Sequence, residues 1–363
     1  MNRSYVILLV LVLCCATFAG ESKVRVGTYY YPWYDLSSHT PYQSLRGHLV
    51  PKHSPALGNY NSSDSNVIGA HIEQSLRANI SFWAVSWWGP DSPEDKVFRE
   101  GILMHEYASQ LKYAILYESD NRLGKGYSNL ISDFDYFREN YFNNPNYLKV
   151  NGKPVVFIYL TRDYFRNKGG DELASLRKVH PNIYLVGDDV FGPGYKASHA
   201  SKWDAVTAYD VYGQSMGTHR STHAALEQLK TNFRDARKAA NSVNVGLIPA
   251  AAPGFNDKGV RSGHDGAPRY FEDDPQSVEG DVFRAVLREV VLPQIDPLGA
   301  NMIMITSFNE WHEDTQIEPT AGTACKTNKD DSLSGHKYTQ GDYYTDYGNL
   351  YLDILRQETK KHQ

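Results

Sequence analysis

Eight short runs of apolar, β-branched and aromatic residues recur along the chain, each ending at polar, glycine or proline positions. They are Val24 to Trp33, Ser81 to Gly89, Tyr113 to Ser119, Pro154 to Arg162, Ile183 to Phe191, Ala205 to Gly213, Val245 to Phe255 and Met302 to Trp311. Their apolar character is nearly continuous rather than alternating, as in strands buried on both faces. Helix signals fill the gaps. Val67, Ile68, Ile72 and Leu76 repeat at helical spacing, and Ser92-Pro93-Glu94-Asp95 sets a capping hydroxyl, an N1 proline and two acids at a helix start. Tyr127 to Tyr141, Glu172 to His180, Thr222 to Ala240 and Glu279 to Ile295 supply further crossovers, and Tyr343 to Glu358 a last helix. Eight strand–helix units predict an α/β fold, a single (β/α)8 TIM barrel with long βα loops. No G-x-G-x-x-G follows the first run, which argues against an open dinucleotide-binding sheet. The longest irregular segments, about 34–64, 253–278 and 319–341, follow the first, seventh and eighth runs. They therefore gather at the C-terminal face of the barrel, where such folds carry their sites.

The pattern also marks what precedes the barrel. Tyr5 to Phe18 is an apolar stretch behind Arg3, followed by the small residues Ala19 and Gly20, so residues 1–20 read as a signal peptide and 21–363 as one (β/α)8 domain. The apolar run is shorter than the roughly 20 residues a spanning helix needs, which makes an uncleaved anchor the lesser reading. A secreted or secretory-lumen protein is expected, with no membrane insertion after cleavage. Cys14 and Cys15 leave with the leader, so Cys325 alone remains and no intramolecular disulfide is available. Asn61 and Asn79 each start a glycosylation sequon, and Asn61 has the more exposed context.

Composition then narrows the partners. A formal charge of −5, with no basic tract, argues against nucleic acid. The 26 Tyr residues, beside 14 Phe and 6 Trp, suit either an aromatic core or a surface that grips sugar through ring faces and phenol groups. The sequence does not reveal an oligomeric state, and a monomer is the default expectation.

At the predicted C-terminal face the runs end in polar residues that packing does not require: Tyr30 and Trp33, Trp87 and Trp88, Glu118, Asp188 and Asp189, Tyr209 and Asp210, and Asn309-Glu310-Trp311-His312-Glu313. The last cluster is the densest. Positions i and i+3 of a regular strand point to opposite sides, but at a strand-to-loop corner Glu310 and Glu313 can enter one pocket. Two carboxylates flanking one bond, one protonated and one ionised, are what glycoside hydrolysis requires. Metal-dependent hydrolysis through Glu310, His312, Glu313 and Asp314 is the rival reading, weakened by the absence of H-E-x-x-H and C-x-x-C. No G-x-S-x-G elbow is present for a serine hydrolase.

Four segments resemble glycoside hydrolase family 99, the endo-α-mannosidases and endo-α-mannanases: Tyr29-Tyr-Tyr-Pro-Trp-Tyr34, Pro55-Ala-Leu-Gly-Asn-Tyr-Asn-Ser-Ser-Asp64, Val85-Ser-Trp-Trp88, and Ile305 through Glu318 with its Asn-Glu-Trp-His-Glu core. Asp204, Tyr209 and Pro253 through Arg261 add supporting matches. The resemblance implies a retaining (β/α)8 hydrolase that cuts inside α-mannose chains without metal or other cofactor. It implies that Glu310 deprotonates the sugar's own 2-hydroxyl, which attacks to give a 1,2-anhydro sugar, and that Glu313 protonates the leaving oxygen and then activates water. It places Tyr30, Trp88, Glu118, Tyr209, Arg261, Asn309, Trp311 and His312 around an oligosaccharide or polysaccharide substrate. The chain departs from the family pattern at Asp314, where Gly is usual, at Trp87-Trp-Gly-Pro-Asp91, where a Tyr-Pro-Pro type of turn is usual, and at Phe255, where Tyr is usual. The alternatives are a family-99-like glycosidase for a different polysaccharide and a carbohydrate-binding barrel without turnover.

Overall fold

The computed structural model describes residues 23–35, 44–215, 222–261, 263–264 and 266–362. The leader proposed for residues 1–20 lies outside them. Among the described residues no helix is long and apolar enough to cross a membrane.

All eight predicted strands form, shorter than their apolar runs. β1 is Arg25–Tyr30, β2 Ile80–Trp87, β3 Lys112–Tyr117, β4 Lys153–Ile158, β5 Tyr184–Asp188, β6 Ala205–Thr207, β7 the two pieces Gly246–Leu247 and Ala250–Ala251, and β8 Met302–Ile305. Each pairs in parallel with its sequence neighbour, and β1 also pairs with β8 in the register Arg25 with Met302 through Thr28 with Ile305. β7 closes the ring as a broken strand. Its first piece pairs with β6, and its second with β8. The break has a local cause: the Leu247 amide donates to the Asp296 carboxylate at 2.8 Å, and Pro249 has no amide to donate. On the β8 side the segment serves as acceptor, Met304 N to Pro249 O and Thr306 N to Ala251 O, both 2.9 Å. The result is a closed (β/α)8 barrel.

The crossover helices follow their sequence signals. Helix α1, Ser65–Arg77, is capped by Asp64, whose side chain accepts from the Asn66 amide, and buries Val67, Ile68, His71, Ile72 and Ser75 at three- and four-residue spacing. Ser92 caps Pro93–Lys96 by accepting from the Asp95 amide at 3.2 Å. The longest helix, Thr222–Asn241, buries Ala225, Leu226, Leu229, Phe233, Ala236 and Ala240 along one stripe. The last helix, Leu350–Thr359, starts later than its apolar pattern suggests, because Tyr344–Thr345 pairs as a short antiparallel strand with Lys326–Thr327.

Side-chain alternation fixes which aromatics face the barrel axis. Phe82 stacks on Phe157 with ring centroids 6.2 Å apart, and Tyr29 meets Phe157 edge-on at 6.1 Å, so these rings from β1, β2 and β4 fill the interior together. Gly27 makes room for them: a Cβ there would fall 2.0 Å from Phe82 Cζ. Tyr30, one residue further on, points outward instead. It stacks on Trp83 at 4.1 Å and hydrogen-bonds His71 Nδ1 of helix α1 at 2.9 Å. This corrects the placing of Tyr30 in a sugar subsite, because a strand presents alternate residues to opposite faces and only Tyr29 and Tyr31 point inward.

Gly27→Ala is expected to destabilise the barrel by about 1–3 kcal/mol, since the fully buried Phe82 ring would have to shift within the packed interior. Urea unfolding of the variant beside wild type measures this, and an unchanged midpoint would refute the packing account.

Candidate active site

After β8 the chain turns sharply. The Ser307 hydroxyl accepts from the Glu310 amide at 2.8 Å, and the Ser307 amide donates to Thr315 O at 2.8 Å, so residues 307–315 fold back on themselves. Within this corner Trp311–Glu313 makes one 3₁₀ turn, with Glu310 as its N-cap and Asp314 leaving it in the left-handed region at φ 50°. That turn places the carboxyl of Glu313 near enough to Glu310 to feel its charge. The spacing that opposes them in a regular strand brings them together here.

Glu313 projects from the wall of a cavity of about 570 Å³ that is lined also by Tyr159, Tyr209, Tyr212, Phe255 and Arg261. Its volume lies in the range of small-molecule sites, roughly 300–1,000 Å³. Tyr209 donates to Glu313 Oε2 at 3.1 Å and Arg261 to Oε1 at 2.9 Å. Burial, reinforced by the charge of Glu310, pushes the Glu313 carboxyl up to about 7, against the opposing pull of Arg261 and Tyr209. The Tyr31 hydroxyl donates to Tyr209 at 2.8 Å, which completes a chain from Tyr31 through Tyr209 to Glu313. Burial first, then neighbouring carboxylates, raises both phenols well above their ordinary value, so they act as neutral donors.

Glu310 is only 2% exposed and sits behind this wall. Its Oε1 accepts from the His312 amide at 2.9 Å, with His312 Nδ1 at 3.1 Å. A third carboxyl, Glu118, follows β3 and feels both Glu310 and Glu313. Its Oε1 accepts from Ser86 Oγ at 2.5 Å, and Ser86 Oγ in turn accepts from Trp88 Nε1 at 2.9 Å. Burial, joined by the charges of Glu310 and Glu313, lifts Glu118 to about 8. Asp188, at the end of β5, is raised to about 7 by burial, although the amides of Tyr209 and Leu160 both donate to it.

Not every residue chosen from sequence lies on the cavity. Glu313, Tyr209 and Arg261 do; Glu310, Trp88, Glu118 and His312 are not among its lining residues, although Glu313 and Glu118 feel the charge of Glu310. Asn309 and Trp311 are corrections: both are fully buried. Asn309 makes a reciprocal pair with the Tyr31 backbone, accepting from its amide at 2.8 Å and donating to its carbonyl at 2.9 Å. Trp311 Nε1 donates to Glu318 Oε2 at 2.7 Å. These side chains position the corner and have no surface left for substrate. Asp314 also changes meaning. It does not extend the carboxylate pair; it turns away into Arg46 (2.8 Å) and Arg269 (3.1 Å). Burial alone would raise its carboxyl, but these two guanidiniums hold it below the ordinary value. Sequence reasoning missed Arg46, Arg269 and Tyr31. For Tyr31 the signal was present, since strand parity places it on the inward face.

A family model described as Glycosyl hydrolase family 99 matches residues 25–362. The glycoprotein endo-alpha-1,2-mannosidase of Xenopus laevis is 24% identical over 340 residues, spanning 91% of this chain and 69% of that protein. The protein of the same name from Rattus norvegicus is 22% identical over 351 residues, spanning 91% and 67%. Among solved structures, the endo-alpha-mannosidase of Bacteroides thetaiotaomicron superposes with a TM-score of 0.65 at 21% identity, covering 93% of this chain and 97% of that one. That likeness is one of fold.

Two outcomes follow from the charges of the site. Asp314→Ala leaves two buried guanidiniums undercompensated and is expected to cost about 3–5 kcal/mol in denaturant unfolding. A loss below about 1 kcal/mol would show that the pairing is dispensable. Glu118, Glu313 and Asp188 hold their protons in the folded state to about 8, 7 and 7, whereas the unfolded chain releases them near the ordinary carboxylate values. At these three groups the folded state therefore binds more protons, and the stability they contribute is lost as pH rises from roughly 4 to roughly 8. In Glu118→Gln, which mimics the protonated acid, this fall should be shallower than in wild type when urea midpoints are compared across that range. Parallel curves would contradict the assignment.

Proposed function

Since the chain belongs to glycosyl hydrolase family 99 and is a glycoside hydrolase, we propose that it is an endo-acting α-mannosidase whose Glu310 and Glu313 carry out a two-step retaining reaction. The observation that carries this reading is Glu313: a carboxyl in a cavity wall, raised to about 7 and adjoining a second glutamate. Such a group still carries a proton near neutrality and can give it to a leaving oxygen. The names of the Xenopus and rat relatives supply the mannoside and the endo mode.

In the first step Glu310 takes the proton of the 2-hydroxyl. The freed 2-oxygen bonds to C1 as the C1–glycosidic oxygen bond breaks, and the Glu313 proton passes to the departing oxygen. A 1,2-anhydro sugar results. In the second step Glu313, now a carboxylate, takes a proton from water. The water oxygen bonds to C1, the C1–O2 bond breaks, and O2 recovers its proton from Glu310. Two inversions at C1 give net retention. The scheme requires a 2-hydroxyl on the face opposite the leaving group, as α-mannosides have, and it differs from the usual retaining route through a covalent enzyme ester.

Tyr209 and Arg261 serve both charge states of Glu313. Both hold its orientation, and Arg261 stabilises the carboxylate that appears once the proton has left. The Tyr31 hydroxyl fixes Tyr209 in turn.

Purified enzyme should release oligosaccharide from α-1,2-linked manno-oligosaccharides or glucosylated high-mannose glycans with retained configuration, read by proton NMR of the fresh product. Glu313→Gln and Glu310→Gln should each lower kcat by roughly 10²–10⁴ while leaving the fold unchanged. A substrate with its 2-hydroxyl removed at the cleaved sugar should bind without turnover. Cleavage of that substrate at a comparable rate would eliminate the neighbouring-hydroxyl route, and retained activity in Glu313→Gln would end its role as acid.

A further inference from the structure

Away from the carboxylate corner, His53, Cys325 and Asp346 bring an imidazole, a thiol and a carboxylate together, with the ligand-type atoms all within 4.8 Å of one another. His53 belongs to the long segment after β1, and the other two to the segment after β8. Cys325 and Asp346 flank the antiparallel pair Lys326–Thr327 with Tyr344–Thr345, and the Asp346 amide donates to Cys325 O at 2.8 Å. The His53 amide donates to Arg46 O at 2.9 Å. The backbone thus fixes all three positions independently of what the side chains do.

The side chains are not satisfied by one another. His53 is 2% exposed, and neither ring nitrogen has a hydrogen-bond partner; the same holds for Asp346 Oδ1. Leaving buried polar atoms unpaired costs roughly 1–3 kcal/mol each, so a His53 nitrogen and Asp346 Oδ1, unpaired side by side, call for a ligand. The separation of His53 Nδ1 from Asp346 Oδ1 is 3.6 Å. That is too long for a good hydrogen bond, yet it approaches the edge of a tetrahedron whose ligands stand about 2.0–2.2 Å from its centre. Gly322 keeps the place open, since a Cβ there would lie 2.8 Å from Asp346 Oδ2. Arg46, whose charge both His53 and Asp346 feel, is committed to Asp314, Glu279 and the Thr345 carbonyl.

We propose that His53, Cys325 and Asp346 form a structural binding site for a borderline-soft divalent cation of the zinc type, with water completing four-coordination. Mixed nitrogen, sulfur and oxygen donors select zinc or its neighbours over calcium and magnesium, which take oxygen ligands. The site is separate from the glycosidase chemistry. Its effect is to clip the segment after β1 to the segment after β8, beside the arginine that supports Asp314.

The test uses the full-length chain without a histidine tag, stripped with chelator and reloaded with Zn(II) or Co(II). One equivalent of zinc per chain is expected by elemental analysis, with a thiolate-to-cobalt charge-transfer band for the cobalt form and a Tm several degrees higher with zinc than with chelator. Cys325→Ser and His53→Gln should lose the band and the zinc-dependent Tm shift while keeping the near-ultraviolet circular dichroism of wild type. Should either variant fold poorly, labelling of wild-type Cys325 by a thiol reagent replaces it, and zinc should slow the labelling at least tenfold. Zinc content unchanged in Cys325→Ser, cobalt bound without a thiolate band, or labelling indifferent to zinc would each overturn the proposal.

Discussion

Two guanidiniums and two carboxylates, withdrawn from water together, hold the Glu310–Glu313 corner in place. Arg46 reaches Asp314 at 2.8 Å and Glu279 at 3.1 Å, and Arg269 reaches Asp314 at 3.1 Å. The rings of Tyr347 and Tyr351 lie against the guanidiniums, with Arg46 4.9 Å from the Tyr347 centroid and Arg269 4.9 Å from that of Tyr351. The partners come from different places: Arg46 from the segment after β1, Arg269 and Glu279 from that after β7, Asp314 from that after β8. None of these charges could stay buried alone, because desolvation would outweigh any single contact. Their mutual neutrality forces three long segments to converge, and the Glu310–Glu313 turn is where they meet.

A second buried carboxylate performs the same service on the outer side. Glu318 accepts from Trp311 Nε1 and the Tyr60 hydroxyl, with His71 Nε2 at 3.1 Å. Thus the β8 corner is fastened to helix α1 and to the segment after β1. Between these two anchors the reciprocal Asn309–Tyr31 bonds set the end of β1 against the end of β8. The remaining freedom of Glu313 is removed by Tyr209 and Arg261. Burial can then raise its proton affinity without letting the group swing into water, which is the condition for a general acid near neutrality.

Much of this was legible in the residues. All eight strands announced themselves as apolar runs, because strands covered on both faces must be apolar throughout. The Ser92 and Pro93 cap was also plain, since it depends only on neighbours in sequence. The carboxylate pair could be located because a corner after a buried strand leaves few other duties for acids. Choosing Tyr30 over Tyr31 was an error of parity, and a strand of period two leaves no middle ground. Asn309 and Trp311 were misjudged because a polar residue at a strand end can spend its hydrogen bonds inward. The Arg46 and Arg269 network was invisible, for its members are far apart in sequence and nothing local distinguishes a buried arginine from a solvated one.

The broken seventh strand makes the barrel unequal around its circumference. Elsewhere neighbouring strands share ladders several residues long, whereas here one short segment is divided between two neighbours and a proline sits at the division. Cooperative units open where the fewest backbone bonds must be released at once. The staves on either side therefore meet at a seam, and the segment that carries Phe255 and Arg261 to the cavity rim is rooted in that seam. The cavity rim thus hangs from the least continuous part of the ring, while Glu313, which Arg261 meets there at 2.9 Å, stands on one of the most heavily braced corners.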